Sequence, residues 1–292
     1  MKSINENVKD SIQYLLYGTM LSVFALIASC SSKKDTETKT NPLIQFTGLT
    51  RVESGDDWKA VETKEEWKAT ETAIVICDMW DEHWCKGATQ RVGQMAPKIN
   101  KMITLARQNG VTIIHAPSDV IEYYEGTPQR ERLKNVSIAT WAKEIPGWYH
   151  LDSLKEAPLP IDDSDGGCDD FPKCQNRKAW SKQISTINID EQDGISDNGQ
   201  EILSYFEQKG IKNVILCGVH ANMCVLGRSF GVRSQVTAGL NVTLARDLTD
   251  AMYNHEMSPF VSHKEGTQKV IEHIEKYWAS SVLSDDLMKN WK

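Results

Sequence analysis

The stretch "AIVICDMWDEHWCKG", residues 73–87, places Asp78, Asp81, Glu82, His83 and Cys85 close together, with Trp80 and Trp84 between them. An apolar run leads into Asp78, so the acid stands where a buried strand ends. A second place of this kind is "VILCGVHANMCV", residues 214–225, where His220 follows an apolar run and Cys224 comes about one turn later. A thiol facing a carboxylate can do covalent chemistry: the thiol attacks, and the carboxylate takes its proton and returns it to a leaving group. The same residues have plainer roles, Asp78 as a turn cap and Cys224 as an inert core thiol. A thiol at a helix start has its pKa lowered, and the free N–H groups there can hold an oxyanion. Carboxylate and thiolate repel one another, so a cation is needed beside them. Lys182, in "RKAWSKQIST", is the first candidate because it borders a strand expected over "ISTINI", and Lys178 is the second. On the sequence alone, a solvated surface position is the reading that suits Lys182 better.

The elements that must position these groups are legible along the chain. "TAIVICD", "VTIIHA", "NVILCGV" and "NVTLARD" are continuous apolar runs, as expected of strands covered on both faces. "APKINKMITLARQNG", "GQEILSYFEQKG" and "TQKVIEHIEKYWA" carry apolar residues at helical spacing, the first two with helix-ending glycines. "ANMCVLGRSFGVRSQVTAG" suits a helix with Gly227 and Gly231 as weak points, and "SSVL" a last short strand. This alternation predicts a three-layer α/β/α fold around a central parallel sheet of five or six strands. Crossovers are then right-handed, and ligands sit beyond the carboxyl ends of the strands. Asp78 and Val219 are expected at such ends, on neighbouring or near-neighbouring strands. Between about 120 and 180 the period fails in favour of Pro, Gly, Asp and aromatics, which marks a large irregular insertion, a lid or a partner surface. Residues 43–70 show no firm period, and "DDWKAVETKEEWKA" is charged enough for the surface. Residues 43–292 are therefore expected to form one domain.

A strand ending in Asp78, then "VILCGVHANMCV", then "NVTLARD" resembles the isochorismatase-like cysteine hydrolase superfamily, which includes nicotinamidases and N-carbamoyl amidases. The resemblance spans about residues 72–283, and the insertion is its poorly matched part. It implies hydrolysis of a small amide or related C–N bond through a thioester. It further implies an Asp–Lys–Cys triad, carried here by Asp78, Lys182 and Cys224. A cis peptide at Val219–His220 would aim the backbone N–H groups of His220 and Cys224 at an oxyanion. The chain departs from the pattern at Trp80, where the family has Gln or Asn, and in lacking the familiar lysine motif. A more aromatic pocket follows, shaped by Trp80, His83, Trp84 and Asn222, unless the tryptophans simply pack under the insertion. Some relatives bind a metal after the second strand. His115 and Asp119 stand there, with His150 as a remote third ligand for a divalent metal such as zinc. A structural histidine is the competing reading, and no cofactor is required. Two other functions compete: a non-catalytic ligand-binding or scaffold protein on a degenerate hydrolase fold, and ether hydrolysis of the isochorismate type, which does not need the cysteine.

The chain has 292 residues, 40% hydrophobic and 25% charged, with a formal net charge of -7. That is the composition of a globular protein, and it lacks the basic surplus a nucleic-acid surface needs. Lys2 and Lys9 precede an apolar run from Ile12 to Ala28, which is short for a span needing about 20 apolar residues. The ending "IASC" resembles the lipobox of bacterial lipoproteins. It implies a signal peptide over 1–29, lipidation of Cys30, and a polar tether over 30–42. An uncleaved N-terminal anchor is the alternative. The expected location is a periplasm-facing or cell-surface membrane leaflet. The expected partners are a small-molecule substrate, the membrane through the lipid, and a second copy of the chain. Of the seven cysteines, Cys77 and Cys217 fall in buried strands. Cys85, Cys168 and Cys174 are candidates for a disulfide in an exported protein.

Overall fold

A computed structural model describes residues 42–55, 57–289 and 291. The expected signal peptide, Cys30 and nearly all of the tether lie outside the described residues. In chain order the elements are β1 (Leu43–Ser54), β2 (Asp57–Lys68), β3 (Thr72–Cys77), α1 (Lys86–Gln108), β4 (Thr112–Ala116), α2 (Pro128–Lys134), β5 (Gly194–Ile195), α3 (Gly199–Lys209), β6 (Asn213–Val219), α4 (Cys224–Gly227), α5 (Val232–Thr237), β7 (Asn241–Asp250), α6 (His263–Tyr277), β8 (Ser280–Val282) and α7 (Ser284–Met288).

The four apolar runs form the centre of one sheet of order β2-β1-β8-β7-β6-β3-β4-β5. From β8 to β5 all six strands are parallel, as expected. Side chains alternate across it. Val75, Ile114, Leu216 and Leu244 pack on one face with Ile202 and Phe206 of α3, Val232 of α5 and Ile274 of α6. Ile74, Ile76, Ile113 and Ile215 pack on the other with Ile99, Met102 and Ile103 of α1 and Leu287 of α7. Each such side chain contributes about 1.5–3 kcal/mol by leaving water, so two apolar faces fix the three layers. Helix α3 starts on Asn198, whose side chain accepts two backbone N–H bonds, and stops at Gly210 with φ 69°. Helix α6 starts with a capping box of Ser262 and Glu265.

One segment left without an element takes shape, and one expected strand needs correction. The charged segment without a clear period is the antiparallel hairpin β1–β2, added to the parallel sheet through Leu49 opposite Ser281. Ile44 and Phe46 reach the core, but most of β2 is exposed and lined with Lys and Glu, which keeps an open sheet edge from pairing with other chains. "ISTINI" is not a strand. The sixth parallel strand is β5, only two residues long, further on.

The insertion fills the connection from β4 to β5. Short 3-10 turns at Ile121–Tyr124 and Trp141–Glu144 flank α2, and the remainder is irregular. One carboxylate pegs it down. Glu156, almost fully buried, accepts from Arg233 Nε at 2.6 Å and Trp278 Nε1 at 2.8 Å, and its other contact is His273 Nε2 at 2.8 Å.

Candidate active site

Strands β3 and β6 are adjacent and parallel, with Cys77 opposite Gly218. Their carboxyl ends therefore deliver Asp78 and His220 to the same sheet edge. The peptide Val219–His220 is cis, as the resemblance implied. The chain then turns through Ala221–Met223 and Cys224 opens α4. Asp78 is fully buried and takes a left-handed backbone with φ 48°, which Asp tolerates better than most residues. Its Oδ1 accepts the Ser118 N–H at 2.7 Å. Its Oδ2 is buried without a hydrogen-bond partner among the described residues, and its charge acts on the nearby Cys224 thiol.

The cation that the described contacts place beside Cys224 and Asp78 is Arg228, where the resemblance implied Lys182. Arg228, four residues after Cys224, lies in the field of both Cys224 and Asp78, with its Nε buried and without a hydrogen-bond partner among the described residues. One guanidinium nitrogen pairs with Asp119 Oδ2 at 3.0 Å, and the group lies 5.7 Å from the centre of the Trp148 ring. Lys182 instead places its ammonium 5.3 Å from the centre of the Tyr123 ring. The reason is a short antiparallel contact. Trp80 pairs with Gln183, Asp81 N–H donates to the Lys182 carbonyl and Ile184 N–H to that of Met79. Gln183 then turns into the core, its backbone N–H donating to the Tyr124 hydroxyl oxygen and its side chain contacting His115. Lys178 donates to the Asp119 carbonyl at 2.7 Å. The missed residue had a signal in the sequence, since Arg228 follows Cys224 at i,i+4, the spacing that stacks two side chains on one helix face.

The electrostatics also differ from expectation. Burial pushes the Cys224 thiol well up, and the charge of Asp78 adds to it, with Arg228 acting against both. The helix that was to lower the thiol has four residues, too short for much of a dipole. Burial raises the Asp78 carboxyl from 3.8 to about 6, against the pull of Arg228, Cys224 and Ser118. At neutral pH the pair thus rests as carboxylate and thiol beside a fixed guanidinium. The backbone N–H groups of His220 and Cys224 have no acceptor among the described residues.

Trp80, His83 and Trp84 sit beside this centre, but largely packed on one another and on the insertion. Trp80 is buried, donates to the Ser118 carbonyl at 3.0 Å and stacks on Trp180 at 4.5 Å. His83 stacks on Trp180 at 5.6 Å and meets the His220 ring edge-on at 5.1 Å. Burial and Arg91 hold His83 down to about 4, so it is neutral. Trp84 packs against the small cluster that contains Cys85 and Cys168. Asn222 does not present its amide to a pocket. Its Nδ2 donates to Asp163 at 2.7 Å and to the Met252 carbonyl, and its Oδ1 accepts the Met252 N–H. Asn222 is therefore a clamp between the insertion and the end of β7.

The metal ligands suggested by the resemblance do not fit a metal. Both ring nitrogens of buried His115 are engaged, Nδ1 with Gln183 and Nε2 with Asp193, each at 2.9 Å. Asp119 is neutralised by Arg228, and His150 is exposed in the insertion. His115 has the structural role. All six described cysteines are free thiols.

No family model matches the chain, and no curated protein does. Solved structures do. One is a cysteine hydrolase from Pseudomonas syringae pv. phaseolicola, at 14% identity and TM-score 0.47, covering 77% of this chain and 93% of that one. Another is an isochorismatase from Pseudomonas putida, at 14% and 0.45, covering 76% and 92%. A third is the pyrazinamidase of Pyrococcus horikoshii in complex with zinc, at 16% and 0.42, covering 73% and 99%.

Proposed function

We propose that this protein is a cysteine hydrolase that cleaves a small amide or related C–N bond through a thioester, with Asp78, Arg228 and Cys224 as its triad. The carrying observation is that adjacent parallel strands deliver buried Asp78 and the turn into Cys224 to one sheet edge, with Arg228 four residues further on in the field of both. Sγ of Cys224 attacks the carbonyl carbon while Asp78 takes the thiol proton, so no free thiolate need accumulate beforehand. The N–H groups of His220 and Cys224 receive the developing oxyanion. As the C–N bond breaks, Asp78 returns the proton to the amine. Water, deprotonated by Asp78, then attacks the thioester and releases the acid and the thiol. Arg228 holds Asp78 ionised and stays charged throughout.

The test is a panel of small amides with the wild type and Cys224→Ala. Turnover of at least one amide that vanishes in the folded variant is the expected result. A second reading, a non-catalytic ligand-binding lipoprotein, is favoured by the raised thiol and by the tryptophan stack against Trp80. Equal turnover, or none, in wild type and variant supports it over the first. The lipoprotein assignment belongs to the same proposal, with a mature chain that begins at Cys30 and is held at a membrane surface. Among the described residues no helix is long and apolar enough to cross a membrane.

A further inference from the structure

Away from the triad, three cysteines converge on one carboxylate oxygen. Cys85, which opens α1, approaches Asp170 Oδ2 at 3.3 Å, Cys168 at 3.5 Å and Cys174 at 3.3 Å. The ligand atoms of Cys85, Cys168 and Asp170 all lie within 4.8 Å of one another, and Cys174 lies outside that set, meeting it through Asp170 Oδ2. Cys85 and Cys168 are buried, and Cys174 is half-buried. The carboxylate is fixed independently, because Asp170 Oδ2 also accepts the Gly87 N–H at 2.9 Å.

We propose that Cys85, Cys168, Cys174 and one oxygen of Asp170 bind a zinc ion that clips the insertion to the start of α1. Zinc–sulfur bonds of about 2.3 Å and a zinc–oxygen bond of about 2.0 Å at tetrahedral angles put each sulfur about 3.5 Å from the oxygen. The three observed separations, 3.3, 3.5 and 3.3 Å, have this length. Three soft thiolates with one carboxylate favour zinc over magnesium or calcium, which take oxygen ligands. Four protein ligands leave no open position, so the ion is structural rather than catalytic.

Zinc replaces the thiol protons, which pass to solvent as each sulfur becomes a thiolate. Lys86 and Lys173 adjoin two of the ligands in sequence, and Arg91 pairs with the neighbouring Asp169. These cations offset the negative charge of three thiolates and a carboxylate around one divalent ion. The loop that supplies three of the ligands is also the approach to Trp180, so the ion would hold the rim of the candidate active site as well.

The experiment measures zinc on the full chain purified without chelator, by elemental mass spectrometry, and then the absorption after exchange with Co²⁺. One zinc per chain and a thiolate-to-cobalt charge-transfer band are expected in the wild type and in Cys224→Ala. Cys174→Ser and Asp170→Asn should each weaken zinc by about tenfold or more in competition with a chelator. Cys85→Ser should lose it outright. If Cys85→Ser does not fold, the wild-type cobalt spectrum and the two outer variants decide. The proposal is overturned if the wild type gives no thiolate-to-cobalt band. It is equally overturned if zinc binding is undiminished in Cys174→Ser and Asp170→Asn, if it is lost only in Cys224→Ala, or if two of these cysteines are blocked until reductant is added.

Discussion

Asp78 and Cys224 compete for one proton, and burial decides which holds it at rest. The Asp78 carboxyl titrates at about 6 against an ordinary 3.8, so the folded state grips its proton more tightly than the unfolded chain does. Stability from this group is therefore lost as pH rises through the window from about 4 to 6. A shift of that size corresponds to roughly 3 kcal/mol of destabilisation at neutral pH. Two outcomes follow. Turnover should fall as pH drops below about 6, because the base is protonated there, and a pH–rate profile checks this. Asp78→Asn should abolish turnover yet raise the melting temperature at pH 7; a drop there would show that the charge is better accommodated than its burial implies. Arg228 gives the second test at this scale. Arg228→Met removes the charge that keeps Asp78 ionised, so turnover should fall by about 10²-fold or more and the acid limb of the profile should move up. Lys182→Met should cost much less, since its ammonium faces Tyr123. A larger loss in Lys182→Met than in Arg228→Met would restore the lysine.

The elements differ in how plainly the chain announces them. Strands β3, β4, β6 and β7 are buried on both faces, so each is an unbroken apolar run, and their ends located Asp78 and Cys224. The hairpin β1–β2 sinks only a few side chains such as Ile44 and Phe46, so charge masks its period. Strand β5 has two residues, too few for any period. Arg228 was hidden because Gly227 and Gly231 mark a break in the helical pattern and because the resemblance directed the search to a lysine. The docking of the insertion was not legible at all, since it rests on contacts such as that of Glu156 with Arg233, more than seventy positions apart. Burial raises Glu156, but the Arg233, His273 and Trp278 bonds outweigh it and keep it ionised. Glu156→Ala leaves the buried Arg233 without its ion pair and should cost about 3–5 kcal/mol in denaturant unfolding. A loss under about 1 kcal/mol would mean that the insertion is held mainly elsewhere.

At the scale of the whole molecule, one prediction concerns the N-terminus. Mass spectrometry of the N-terminal peptide from the membrane fraction should find Cys30 first and carrying lipid; an intact Met1 there would count against the lipobox. The described part is an α/β frame carrying a long irregular insertion, and two indoles stack across the boundary between them. Trp80 belongs to the frame and Trp180 to the end of the insertion, with ring planes 15° apart and centres 4.5 Å apart. Two indoles that close do not absorb light independently. Their transitions couple, and in this chiral setting the coupling should split the circular-dichroism band into two lobes of opposite sign. The protein thus carries its own optical gauge of whether the insertion is seated, readable without any label and erased by replacing either ring.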